Sequence, residues 1–247
     1  MDEPGRQQGK PDVPDLASRI GRVAAPLRPQ VRDALREAIL TMRFAPGQRL
    51  VERELIDMTG VSRTTIREVL RELAAEGLVR TVPQKGAVVV ALSPEEAEEL
   101  YELREVLEAH LVRRFVAQAP DGRLVALRRA FTKLEDVVAE GGGTMDVLRA
   151  KDVIYDVLLD GAGNSALRTS LSQLHARVSL LRAGSLSSDP GRPARSVSEL
   201  RDMVKAVEAR DASAASAAMI AHVRAAARLG IAAMRASQEA GAPATTR

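Results

Sequence analysis

The sequence predicts a mainly α protein: an N-terminal winged helix-turn-helix followed by an all-α bundle of about six helices. Three observations lead there. Residues 26–92 read in the order helix, helix, glycine turn, helix, β-hairpin, and residues 93–237 show helical periodicity interrupted only by short breaks. Aromatic residues make up only 2% of the chain, with no Trp, so Leu, Val, Ala, Ile and Met must build the core, which suits helix-on-helix packing.

The 247 residues suit two domains. With no Cys there is no disulfide framework, thiolate nucleophile or cysteine zinc site. The start, Met1-Asp2-Glu3-Pro4, lacks the basic and apolar regions of a signal peptide, and no apolar run is expected to reach the length of a membrane span. The expectation is a soluble, cytoplasmic protein without a membrane partner. Residues 1–92 hold 15 Lys and Arg against 12 Asp and Glu, whereas residues 93–247 hold 21 of each. The basic excess, nearly all arginine, thus lies at the N-terminal end, a modest nucleic-acid signal.

Residues 1–25, with Pro4, Gly5, Pro11 and Pro14 among polar residues, read as a flexible arm. Val31, Ala34, Leu35, Ala38, Ile39 and Met42 then lie on one face of a first helix, ended by Ala45-Pro46-Gly47. A short helix over Glu52–Met58 precedes Thr59-Gly60-Val61. A third runs from Ser62, a suitable N-cap, to Glu76, with Gly77 placed to close it. Leu78–Val82 and Ala87–Ala91 form a hairpin around the basic tip Pro83-Gln84-Lys85-Gly86. Ser93-Pro94-Glu95-Glu96 opens the helical part with a cap, a proline and acids facing the helix dipole. Helices are expected over 94–119, 122–140, 145–160, 164–183, 195–210 and 211–237, with a loop at Gly184–Pro193 and a tail over 238–247.

On the third helix Arg63, Arg67 and Arg71 recur every four residues opposite the apolar stripe of Ile66, Val69, Leu70 and Leu73, with Thr64 and Thr65 in the first turn. Arginine there can bond guanine bidentately in a major groove, and first-turn hydroxyls and amides can take a phosphate. Paired with Glu68, Glu72 and Glu76, the same arginines would be a solvated helix face; the ordered surroundings favour the groove. The segments Ala45–Leu55, Gly60–Leu70 and Glu76–Val79 resemble the N-terminal signature of the GntR family of regulators, over about Pro26 to Leu92. The resemblance implies operator contacts from Arg53, Ser62, Arg63, Thr64, Thr65, Arg67 and the wing Gly86; Lys85 at the wing tip joins them on charge.

The helical remainder resembles the FadR-type (FCD) subgroup of that family. Its cues are Leu100–Arg104 with Leu107-Glu108, Asp152 with Asn164 and Leu167, and Ala218–Val223. Many members hold a divalent metal that helps bind a carboxylate effector. Carried over, the metal positions are Asp152, Asp156, Leu200 and His222. Leu200 cannot ligate, so Asp152, Asp156 and His222 remain as a degenerate set suited to a weakly held divalent ion rather than zinc. Alternatively Asp152 pairs with a neighbouring arginine and His222 is a hydrogen-bonded core residue. His110 and His175 show no identifiable partner. Arg104, on an otherwise apolar face, is the candidate anchor for an anionic effector, unless it is spent on Glu108 or Asp152, and Tyr155 is core or pocket wall.

The leading reading is a homodimeric regulator, a repressor, that binds a palindromic operator in double-stranded DNA and is released by a small organic acid. The alternative is a dimeric DNA-binding protein whose helical domain only dimerises. An enzyme is not expected, since no phosphate loop or nucleophile–base pair appears.

Overall fold

The computed structural model describes residues 27–241; the expected N-terminal arm lies outside them. The first domain follows the predicted order: α1 (Leu27–Leu40), β1 (Arg49–Leu50), α2 (Glu52–Thr59), α3 (Arg63–Ala75), β2 (Val79–Val82) and β3 (Gly86–Val89). Its core joins Leu35 and Ile39 of α1, Leu55 of α2, Ile66, Val69 and Leu73 of α3, and Val89 of the hairpin. Met42, expected on the apolar stripe of the first helix, lies past its end and is exposed.

The three strands form an antiparallel sheet in the order β1-β3-β2, with Leu50 opposite Ala87 and Val82 opposite Gly86. Strand β1 is an addition to the predicted fold. Two residues are too few to show alternation; its place is set by Gly47 N–H donating to the Val89 carbonyl at 3.0 Å. Helix α3 begins at Ser62, whose Oγ accepts the Thr65 N–H at 3.2 Å, and is closed by Gly77 at φ +72°. Gly77 also lies against Arg177 of the second domain, where a Cβ would sit 3.4 Å from Arg177 Cγ, so it is the positive φ that requires glycine here.

The second domain contains seven helices among the described residues: α4 (Pro94–Gln118), α5 (Asp121–Ala139), α6 (Thr144–Ala162), α7 (Ser165–Arg177), α8 (Ser179–Ser187), α9 (Arg192–Glu208) and α10 (Ala212–Gly241). The single helix expected over 164–183 is two, broken at Val178, where Ser179 Oγ donates to the Ala176 carbonyl at 2.6 Å and competes with the helical ladder. The loop expected at Gly184–Pro193 is mostly helix, because α8 runs on to Ser187 and α9 starts at Arg192. Helix α10 likewise enters the expected tail and reaches Gly241. Ser93 caps α4 in a reciprocal capping box with Glu96.

One expectation about apolar runs is corrected. Within Ala212–Ala236 of α10 an 18-residue stretch reaches a mean hydropathy of 1.3, long and apolar enough to cross a membrane by length and composition. The value comes largely from alanine. In the fold this helix packs on α4, α8 and α9 and buries Ala215, Met219, His222, Val223 and Ala226.

Candidate functional site

The candidate nucleic-acid surface is built from three elements. Arg53 on α2, Arg63 at the start of α3 and Lys85 with Gly86 in the wing converge on a notch of about 360 Å³, also lined by Arg49 and Glu52. Four cations thus face one carboxylate across a concave surface whose rim includes the α3 N-terminus. Arg49 was not recognised in the sequence; only the pairing of β1 with β3 brings it beside the wing. Ser62, Arg63 and Thr64 are exposed in the first turn of α3, and Thr65 Oγ1 lies 2.9 Å from Ser62 Oγ.

Arg67 is differently placed. Its Nε donates to both Glu52 oxygens at 2.9 and 3.1 Å, tying α3 to α2. The predicted acids pair elsewhere: Glu68 and Glu72 with Arg28, and Glu76 with Arg36. Among the described residues Arg53, Arg63 and Arg71 form no ion pair, which leaves their guanidiniums available to phosphate or base.

Inside the second domain lie two buried polar networks, near enough that the Arg104 charge acts on Lys151 and His222. In the first, Glu108 accepts from Arg104 Nε at 2.7 Å, Tyr155 Oη at 2.8 Å and His175 Nε2 at 2.8 Å. Burial raises the Glu108 pKa, but the Arg104 charge and the His175 bond outweigh it and hold the carboxyl well below its usual range. Arg104 lies over the Tyr101 ring at 5.1 Å, and Tyr155 meets His175 edge-on at 4.5 Å. His175, unassigned in the sequence, is therefore part of the site.

In the second network Arg192 bonds Glu199 through both terminal nitrogens, and Glu199 Oε2 accepts from His222 Nδ1 at 2.7 Å. Burial, followed by the proximity of Lys151, depresses the His222 pKa to about 3, so the ring is neutral with its proton on Nδ1. His222 Nε2 is then an acceptor, and Lys151 Nζ donates to it at 3.2 Å and to Ser196 Oγ at 3.0 Å. Burial first, and then the charges of Arg182, Arg104 and Arg192, push the Lys151 pKa well below its ordinary value.

No hydrogen bond or ion pair joins the two networks among the described residues. Their buried polar atoms without partners are Tyr101 Oη, Arg104 Nη1 and Arg192 Nε. An acceptor from outside the chain would satisfy these groups. Lys151 carried no sequence signal, since its partners Ser196 and His222 are 45 and 71 residues away and meet it only through the packing of α6, α9 and α10; Arg192 and Glu199, seven residues apart on α9, were not singled out either.

The metal positions inferred from resemblance are not brought together. Asp152 turns outward to Arg182 at 2.7 Å, Asp156 lies beside it on the same cleft wall, and His222 is fully buried against Lys151 and Glu199. Leu200 is core. Among the described residues no group of three or more His, Cys, Asp or Glu side chains could hold a metal ion. An amine on His222 Nε2 and an arginine on Asp152 do not fit a cation. The His222 geometry is that of a hydrogen-bonded core residue.

Tyr155, His175 and Arg182 also line a cleft of about 700 Å³ whose opposite wall is the first domain, with Arg32 and Arg36 of α1 and Glu76 after α3. The first network therefore reaches the domain boundary, which Arg149 and Glu37 bridge at 3.9 Å.

A winged-helix head with a convergent basic notch, joined to a helical domain with a buried polar site, defines a DNA-binding regulator with a second, helical module. The comparisons agree. Residues 27–89 match the family described as bacterial regulatory proteins, gntR family, and residues 99–225 match the FCD domain. The chain belongs to the GntR family of transcription regulators, in its FCD-bearing, FadR-type subgroup, and is not an enzyme.

Relatives include the HTH-type transcriptional regulator YdhC of Bacillus subtilis, 26% identical over 62% of this chain and 68% of that protein. A regulator from the ttuE-ttuC′ intergenic region of Agrobacterium vitis is 39% identical over 48% of this chain and 68% of its own length. The Escherichia coli transcriptional repressor RspR is 25% identical over 64% and 68%. The solved structure of E. coli McbR/YncC shares the fold, with a TM-score of 0.67 at 18% identity, covering 87% of this chain and 100% of that one.

Proposed function

We propose that this protein is a cytosolic, homodimeric repressor that binds a palindromic operator and leaves it when a small organic acid enters the helical domain. Operator contact rests on the notch of Arg49, Arg53, Arg63, Lys85 and Gly86, with Ser62, Thr64 and Thr65 taking phosphate and Arg67 positioned through Glu52. A two-fold dimer presents two such notches, so the operator half-sites carry the same symmetry.

The observation that carries the ligand reading is the pair of buried guanidinium nitrogens without acceptors, one in each network. Arg104 Nη1 and Arg192 Nε are buried without acceptors, and Lys151 Nζ has hydrogen-bond partners but no carboxylate among them. A carboxylate bound between these two groups supplies acceptors to donors that have none, offsetting its own desolvation. Strain on Tyr155, His175 and Arg182 then reaches the cleft facing α1 and α3, which gives ligand and DNA a common element to bias.

The test is a thermal-shift screen against small organic acids, followed by operator release measured with any acid that raises the melting temperature. Arg104→Lys keeps a cation beside Glu108 but removes Nη1; it should abolish acid-induced release and leave operator affinity nearly unchanged. If no acid shifts melting or release, the helical domain serves dimerisation alone.

A further inference from the structure

On α4 the charged residues divide by direction. Those facing the bundle or its rim are engaged: Glu98 with Arg235, Arg104 with Glu108, Glu105 with Arg224, and Arg114 with the Ala162 carbonyl. Among the described residues Glu99, Glu102, His110 and Arg113 form no hydrogen bond or ion pair, and all four are exposed. They share the outer side of the helix with Leu103, 48% exposed, and Val106, which at 65% is the most exposed large apolar side chain among the described residues.

The order of these residues is self-complementary. Glu99 and Arg113 lie seven residues either side of Val106, and Glu102 and His110 lie four either side. Acids occupy one half of the stripe and bases the other, with the apolar residues at its centre. Turned end over end about Val106, the face meets its own complement: Glu99 opposite Arg113, Glu102 opposite His110, Val106 opposite Val106. Seven residues of helix span about 10 Å, so a shallow antiparallel crossing keeps the outer pairs within reach of long side chains. Only an isologous contact uses this symmetry, because each half of the stripe then serves twice.

We infer that the outer face of α4 docks on the same face of a second copy of this chain, antiparallel, about a two-fold axis through Val106. The inference rests on the homodimer reading and specifies its surface. Opposite charges at the ends set the direction and register, and burial of Leu103 and Val106 supplies the apolar centre.

Sedimentation velocity of the full chain across a micromolar concentration series tests it. Val106→Glu should give a monomer whose circular dichroism and melting match the parent, since the side chain is exposed and the substitution empties no core. Glu99→Arg and Arg113→Glu should each raise the dimer dissociation constant about tenfold, because each places two like-charge pairs across the axis. Combined in one chain they recreate both pairs with the signs exchanged, and should return the constant to within about threefold of the parent. A parent dimer that survives Val106→Glu, with charge reversals that neither weaken nor rescue, overturns the α4 surface but leaves the dimer reading standing. A parent chain that is monomeric throughout overturns both.

Discussion

Lys151 Nζ lies 3.2 Å from Nε2 of His222, the nitrogen through which that ring would ligate a metal. Its other nitrogen, Nδ1, donates to Glu199 at 2.7 Å, so both ring nitrogens are committed within the protein. Protein purified without chelator should accordingly retain no zinc through dialysis, and added Mn²⁺ or Zn²⁺ should leave melting unchanged. One zinc per chain, lost in His222→Ala, would contradict this geometry.

The two predicted recognition arginines should differ in effect. Arg63 is unpaired at the notch, and its replacement by Ala should weaken operator binding by about 1–3 kcal/mol if it reads a base, or lower the salt slope by about one if it holds a phosphate. Arg67 must first leave Glu52, so Arg67→Ala should cost less. Fluorescence anisotropy across a salt series distinguishes them. Equal and full binding by both variants would remove α3 from the interface.

Glu108 is the hub of a buried cluster, and removing it strands a guanidinium. Glu108→Ala should destabilise the protein by about 3–5 kcal/mol, since Arg104 would be left buried without its counter-charge. The pair Arg104→Met with Glu108→Leu should cost less than Glu108→Ala alone. Recovery is partial, because Tyr155 Oη and His175 Nε2 still lose their acceptor. Denaturant unfolding measures both.

Acid should weaken the fold before carboxylates begin to protonate. Burial keeps His175 below its usual pKa and His222 at about 3, whereas in the unfolded chain both titrate near 6.5. A depressed folded pKa gives stability that is complete above the unfolded value and lost as pH falls toward the folded one. Below about pH 6.5 the unfolded chain binds protons that the folded chain refuses, a slope of up to about 1.4 kcal/mol per pH unit for each histidine. Melting followed from pH 8 to 5 should steepen downward near 6.5, and His175→Gln should reduce the slope. A melting temperature that rises on acidification would be inconsistent with neutral buried imidazoles.

The local signals in the sequence were sufficient for the winged helix-turn-helix. Ser62, Gly60, Gly77 and the Ile66–Leu73 stripe act within one or two turns of the chain, so caps, φ-positive positions and periodicity can be read directly. The candidate interior site had no such local code. Arg104 and Tyr155 were recognisable as polar residues on apolar faces, but His175 and Lys151 were not, and Asp152 and His222 could be aligned with ligands only by resemblance. The partners of His175 and Lys151 are 45 to 71 residues away, and which way each side chain turns depends on how α6, α7, α9 and α10 stack.

The sequence by itself thus determined the element order, the helical boundaries set by capping residues and the basic face of α3, because those follow from neighbours along the chain. Only the tertiary structure decided that β1 carries Arg49 to the wing, that Arg67 is held by Glu52, and that Lys151 rather than a metal faces His222. Burial is the physical reason. A charged group sealed among packed helices must satisfy itself with whatever donors and acceptors the fold delivers, and that choice is made in space, not along the chain.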